Sequence, residues 1–124
     1  MVIFTLSVTI NNQVPISINN PQNLIHEYFN YLNHKDIKSM RKIVNSNDII
    51  SKQLSEYEAY NKLLLTDISI EDSFNKYLGE NKNIKAYKVY FDAYLSNDYK
   101  HTFSDIYILK YDENICSWII DEII

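Results

Sequence analysis

The sequence predicts an α+β domain, with N-terminal helices packed on a curved antiparallel sheet and one extra strand ahead of them. Three observations predict it. Apolar residues recur at helical spacing from about residue 21 to 57. From about residue 62 onward they fall instead into strand-like runs separated by short polar turns. The helices come first and the strands last, which is the order of segregated layers and not of alternating βαβ units.

The chain of 124 residues suits one domain, and 46% apolar content suffices for one continuous core without a disulfide or metal staple. Residues 1–19 read as a strand and linker, and 20–124 as the domain proper. Val2, Phe4, Leu6, Val8 and Ile10 alternate with Ile3, Thr5, Ser7 and Thr9, a period-two pattern. The alternative is the tail of a signal segment. No basic start, small-residue cleavage site or lipid-accepting cysteine supports that alternative. A linker rich in Asn, with Pro15 and Pro21, follows at Asn11 to Gln22.

Asn20 is placed to cap the first helix with Pro21 in its first turn, where a missing N–H costs nothing. Leu24, Ile25, Tyr28, Phe29 and Leu32 then form one apolar face. After a break at Asn33-His34-Lys35, Asp36 is the expected cap of a second helix bearing Ile37, Met40, Ile43 and Val44. Asp48 is the expected cap of a third, with Ile49, Ile50, Leu54 and Tyr57. Strands are expected at 62–71, 84–95, 102–111 and 115–123. Gly79 lies in a polar loop, and Asn97-Asp98 and Asp112-Glu113-Asn114 are turns of a meander.

Charge and motif content exclude several functions. The formal charge is −4, and the one basic cluster, His34, Lys35, Lys38, Arg41 and Lys42, reads as the wet face of a helix. Nucleic acid is therefore not an expected partner. No run is long enough to span a membrane as a helix. Cys116, alone and two residues before Trp118, reads as a small core residue. His26-Glu27 begins a zinc-protease motif, but Asn30 stands where its second histidine belongs. His34 and His101 lack ligand spacing, so neither a metal nor any other cofactor is expected. A single glycine rules out a glycine-rich phosphate loop.

The stretch from Asn20 to Met40 resembles the opening helix pair of nuclear-transport-factor-2-like (cystatin-like) proteins. The likeness continues in Tyr87-Lys88-Val89-Tyr90-Phe91, Tyr107-Ile108-Leu109-Lys110-Tyr111 and Trp118-Ile119-Ile120-Asp121, and so covers about residues 20 to 123. It is strongest to small domains of unknown function in envelope lipoproteins and secreted proteins of Gram-positive bacteria. The resemblance implies a cone-shaped fold, often with a pocket and often dimeric, and a place in the cell envelope or outside the cell. A complete chain as it stands would instead be cytoplasmic. No reaction is implied, because that superfamily holds enzymes, carriers and domains without activity. The leading strand and the absence of a lipid-accepting cysteine depart from the pattern.

Enzymes of that superfamily place an aspartate base and tyrosine or aspartate donors inside the cone. On strand 84–95, Tyr87, Val89, Phe91, Ala93 and Leu95 share the more apolar face, which sends Tyr90, Asp92 and Tyr94 outward. No catalytic residue is assigned. Asp67 and Asp105, in strand-like runs, are candidates for a pocket lined also by Tyr28 and Tyr87. A carboxylate buried there would have a raised pKa, whereas a solvent-facing one would be inert. Tyr90, Tyr94, Tyr107 and Tyr111 are candidates for an interface on the outer sheet face, including a homodimer interface.

These readings favour a non-catalytic domain that binds a small apolar ligand or a protein. The alternatives are an enzyme using a buried aspartate on a small apolar substrate, and a small cytoplasmic protein that neutralises a partner. Trp118 is expected in the core. Replacing it with alanine should lower the unfolding free energy by about 3–5 kcal/mol in a denaturant titration, and an unchanged midpoint would contradict the inward face assigned to the last strand.

Overall fold

The computed structural model describes residues 20–57, 64–78, 82–94 and 99–124. The leading strand, most of its linker, Gly79 and the Asn97-Asp98 turn lie outside these residues. Helix α1 spans Pro21–His34. Asn20 is extended at φ −144°, and its Oδ1 accepts the Gln22 N–H at 3.0 Å. The helix ends at Lys35 in the left-handed conformation, φ 54°. The N–H of Asp36 closes that end on the Tyr31 carbonyl at 2.9 Å. A glycine would hold the position without steric cost, and a lysine there costs about 1 kcal/mol.

Helix α2, Ile37–Arg41, starts at Asp36, which accepts the Ser39 N–H at 3.2 Å and the Ser39 hydroxyl at 2.7 Å. Helix α3 spans Asn47–Tyr57. Its cap is Ser46 and not Asp48, for the Asp48 N–H donates to the Ser46 hydroxyl at 3.1 Å. Asp48 sits instead in the first turn, where its charge complements the helix dipole.

Four strands follow: β1 Leu65–Glu71, β2 Ile84–Tyr94, β3 Lys100–Asp112 and β4 Ser117–Ile123. A 3-10 turn at Ser73–Tyr77 lies between β1 and β2. The strands pair in the order β1-β2-β3-β4, each antiparallel to the next, the expected meander. The chain is thus α+β, with helices on one face of an antiparallel sheet.

That face is joined to α1 by aromatic rings. Leu24, Ile25, Tyr28, Phe29 and Leu32 of α1 are all buried. The Phe29 ring lies 5.2 Å from Phe91 of β2 and 5.8 Å from Tyr107 of β3, and Tyr28 meets Tyr107 edge-on at 5.9 Å. Each such pair adds about 0.5–1.5 kcal/mol beyond the area it buries. Val89, Phe91 and Ala93 of β2 are buried as the alternation requires, and Trp118 is buried with its edge against Tyr111 at 5.6 Å. Cys116 is the exception to the expected core. It is exposed at φ 51° in the turn before β4, its thiol donating to the Glu113 carbonyl, because that turn ends two residues later than the sequence suggests.

Asparagine side chains and one strap tie off the strand edges. The amide of Asn33 accepts the Leu65 N–H at 2.8 Å and donates to the Leu65 carbonyl at 2.9 Å, standing in for a neighbouring strand. Asn75 likewise accepts the Ala86 N–H at 2.8 Å. On the other edge, Ile120 of β4 donates to the Ile43 carbonyl and accepts from the Asn45 N–H, both at 2.8 Å. These contacts meet the rule that a buried backbone group must be paired.

Leu65 is only 2% exposed, so its backbone has little access to water once Asn33 is removed. Asn33→Ala should therefore cost about 1–3 kcal/mol in a urea titration, with the slope unchanged. A midpoint equal to the parent's would mean that the clamp contributes nothing.

Candidate functional site

The register of β3 decides which side chains face the helices. Asp105 pairs with Val89 and Tyr107 with Tyr87, and directly opposed residues share a face. Val89 and Tyr87 are buried on the helix side, so Asp105 and Tyr107 point inward with them. Asp105 is half-buried. Above it lies α3, which contributes Lys52, Gln53 and Glu56, and beside it lies Tyr28 of α1.

The polar groups form a directed chain. The Tyr28 hydroxyl donates to Gln53 Oε1 at 3.3 Å, and Gln53 is hydrogen bonded in turn to the Asp105 carboxylate. Gln53 is 3% exposed and Tyr28 is not exposed at all. Burial raises the Asp105 pKa above the ordinary aspartate value, and the negative Glu56 raises it further. The Gln53 hydrogen bond and the positive Lys52 oppose that rise without cancelling it. Burial, and then the charges of Asp105 and Glu56, push the Tyr28 phenol well above its usual range, so it remains a donor.

Asp67, the other carboxylate weighed as a pocket candidate against a solvent-facing position, takes the solvent-facing one. It is exposed, with φ 54°, at a β-bulge where the pairing shifts between Thr66 and Ser69. The bulge has a sequence reason. Leu65 and Ile68 both pack toward the core, yet three positions separate them, so strict alternation would turn one of them to solvent. One extra residue restores the phase and leaves Asp67 outside.

On the outer face Asp92 of β2 is clasped by two side chains of β3. Asp92 accepts from the Thr102 hydroxyl at 2.6 Å and lies 3.8 Å from the Lys100 ammonium. The Thr102 bond is the main reason its pKa falls below the ordinary value. Asp92 is therefore an outward, charge-paired carboxylate, as the alternation on β2 implies.

Of the pocket candidates, Tyr28 and Asp105 come together and Tyr87 is buried on the same face of the sheet. The Tyr87 phenol is raised chiefly by burial and then by Asp72, a different neighbourhood from that of Asp105. Of the outer-face candidates, Tyr90 and Tyr94 do lie outward. Tyr90 donates to Glu71 at 3.3 Å and has the Lys88 ammonium 5.3 Å above its ring, and Tyr94 is 40% exposed. Tyr107 is instead fully buried, because its pairing with Tyr87 fixes it to the helix side. Tyr111, two pairs of residues along the same face, is half-buried against Trp118 and also leaves the outer surface.

Gln53 and Glu56 were not singled out in the sequence, although Gln53 carries a readable signal. It falls on the apolar stripe of α3, one turn after Ile49 and Ile50 and beside Leu54, where a polar residue is out of place. His34 bonds the Asn30 carbonyl at 2.8 Å and His101 lies against Phe103. Among the described residues no three His, Cys, Asp or Glu side chains gather where they could hold a metal ion. Among the same residues no helix is long and apolar enough to cross a membrane. No protein-family model, curated protein sequence or solved structure matches the chain.

Chemically, the inward cluster offers a carboxylate acceptor steadied by one amide and backed by a phenol. The sign of its effect on stability follows from the raised pKa. The fold favours neutral Asp105, so that contribution is whole below the ordinary value of 3.8 and is lost as pH rises through the raised one. At pH 7 the inward charge therefore weakens the fold. Asp105→Asn should melt higher than the parent at pH 7, with the difference shrinking toward pH 3.5. Equal melting temperatures at both pH values would place Asp105 in full contact with solvent.

Proposed function

We propose that the chain is a non-catalytic binding domain of the cone-shaped, nuclear-transport-factor-2-like kind, with Asp105 as the polar anchor of a small-ligand site. The observation that carries this reading is the inward carboxylate itself. A charge held against aromatic rings at a cost to stability is a mark of a working site. Apolar rings with a few placed polar groups are the usual lining of ligand sites. The ligand this suits is small and mostly apolar, with one hydrogen-bond donor for Asp105. The order of three helices followed by an antiparallel meander supports the fold family, and the resemblance in sequence supports a place in the cell envelope.

The outer sheet face supports a second reading, a protein partner. Tyr94 is exposed there beside Tyr90, and tyrosine suits contact surfaces because its ring covers apolar area while its hydroxyl stays wet. An enzyme using Asp105 as a general base would show turnover, which a binding domain does not.

Cyclohexanol, a ring with one donor, is a direct probe. Added at about millimolar concentration, it should shift the carboxyl carbon signal of Asp105 and the side-chain amide of Gln53 in a saturable way. The shifts should vanish in Asp105→Ala. Shifts confined to Tyr90 and Tyr94, or no saturable change, would contradict the inward site.

A further inference from the structure

The helices cover one face of the sheet, and the opposite face has an apolar centre of its own. Tyr87 of β2 and Tyr107 of β3 point inward, so alternation turns Ile84 and Ala86, and Ile106 and Ile108, outward. On β4, Ile120 belongs to the core, which turns Ile119 outward beside Lys110. Ile84, Ile106 and Ile108 are half-buried. Ile124 exchanges backbone hydrogen bonds of 2.8 and 3.0 Å with Ile106 and is 61% exposed. An antiparallel sheet covered on one side ordinarily keeps its other side polar. Here three neighbouring strands bring apolar side chains together, Ile108 beside Ala86 and Ile106 beside Ile124. A contiguous apolar patch of this kind marks an interaction surface.

The charges around the patch are arranged for one kind of partner. On the β2 side Lys88 pairs with Ile106, and on the β4 side Glu122 pairs with Ile108. The cation and the anion therefore lie on opposite sides of β3. A two-fold axis along β3 lays β4 of one copy over β2 of the other. Glu122 of each copy then falls above Ala86 of its partner, about 7 Å along the strand from Lys88 and within reach of it. The isoleucines of β3 meet their own counterparts on the axis. An apolar centre with a charged, wet rim is the anatomy of a specific interface. Lys110 ends the β3 row facing its counterpart, but there sheet twist parts the two copies and its exposed ammonium reaches water. The four strands present an outer face of roughly 600 Å² in plan. A specific dimer buries about 800 Å² of accessible surface per partner, which a pleated face of that size can supply.

We propose that the outer face is a self-complementary interface on which a second copy of this chain packs sheet to sheet, with Ile106 and Ile108 at its centre and Lys88 paired to Glu122 across the two-fold. The pairing rests on the reading of the outer face as a partner surface and names that partner, and the Asp105 site plays no part in it. The Tyr90 ring, 5.3 Å from the Lys88 ammonium, holds that charge on this face.

Sedimentation equilibrium of the full chain from about 1 to about 500 μM tests this, with circular-dichroism melts to show that each variant is folded. The parent should dimerise within that range. Ile108→Lys sets two like charges on the axis and should weaken dimerisation by about thirtyfold or more. Lys88→Glu and Glu122→Lys should each dimerise more weakly alone than the parent does. Mixed together they should form a heterodimer, because mixing restores both opposite-charge pairs. A parent that stays monomeric would overturn the pairing and leave the outer face to a different protein. A dimer indifferent to Ile108→Lys would move association off this face and overturn the pairing and the partner-surface reading together. Single variants that do not recover on mixing would overturn the two-fold.

Discussion

The contact of α1 with the centre of the sheet, through Tyr28, Phe29, Phe91 and Tyr107, is the constraint on which the rest of the molecule depends. Four rings meeting at 5.2 to 6.2 Å leave little freedom in how the helix crosses the strands. They fix the register that matters, since Phe91 and Tyr107 cannot both face α1 unless β2 and β3 pair as they do. Once that pairing is set, Asp105 has no choice of face. It lies two residues from Tyr107 on the same side, at the margin of the rings, under α3. The candidate site is thus a consequence of the core and not an addition to it.

Much of this was legible in the residues. Local chemistry announced the helix starts at Asn20 and Asp36, the apolar face of α1 and the inward face of β2, because caps and periodicity need no knowledge of distant partners. What was not legible depended on partners far along the chain. The side on which Asp67 lies is decided by a bulge that reconciles Leu65 with Ile68. The burial of Tyr107 is decided by pairing with Tyr87, and counting tyrosines in the meander could not reveal it. Cys116 left the core for a left-handed turn position that a glycine would mark in a chain richer in glycine. Gln53 is the one member of the site whose misplacement on an apolar stripe could have been read in advance.

The abundance of asparagine has a structural side. With 15 asparagines in the chain, composition alone suggests coding bias, yet three of them satisfy backbone groups at vulnerable positions. Asn20 starts α1, Asn33 closes the free edge of β1 at Leu65, and Asn75 bonds β2 at Ala86. An amide accepts and donates through separate atoms, as a peptide group does, so it can stand in for a strand, whereas an ionised carboxylate has no donor. These clamps protect edges that would otherwise invite pairing with other chains. They leave the inward face under α3 and the outer tyrosines as the parts of the domain free to act.

The central claim is that Asp105 is an inward carboxylate held against its preference for water, and the most direct measurement is its own titration. The carboxyl carbon of Asp105, followed by NMR across the acid range, reports its protonation without reference to any ligand. An inward, half-buried Asp105 titrates with a midpoint above the ordinary aspartate value, with the Gln53 side-chain amide shifting in step. A midpoint at or below that value, with Gln53 unmoved, would show a solvated carboxylate and remove the basis for the site.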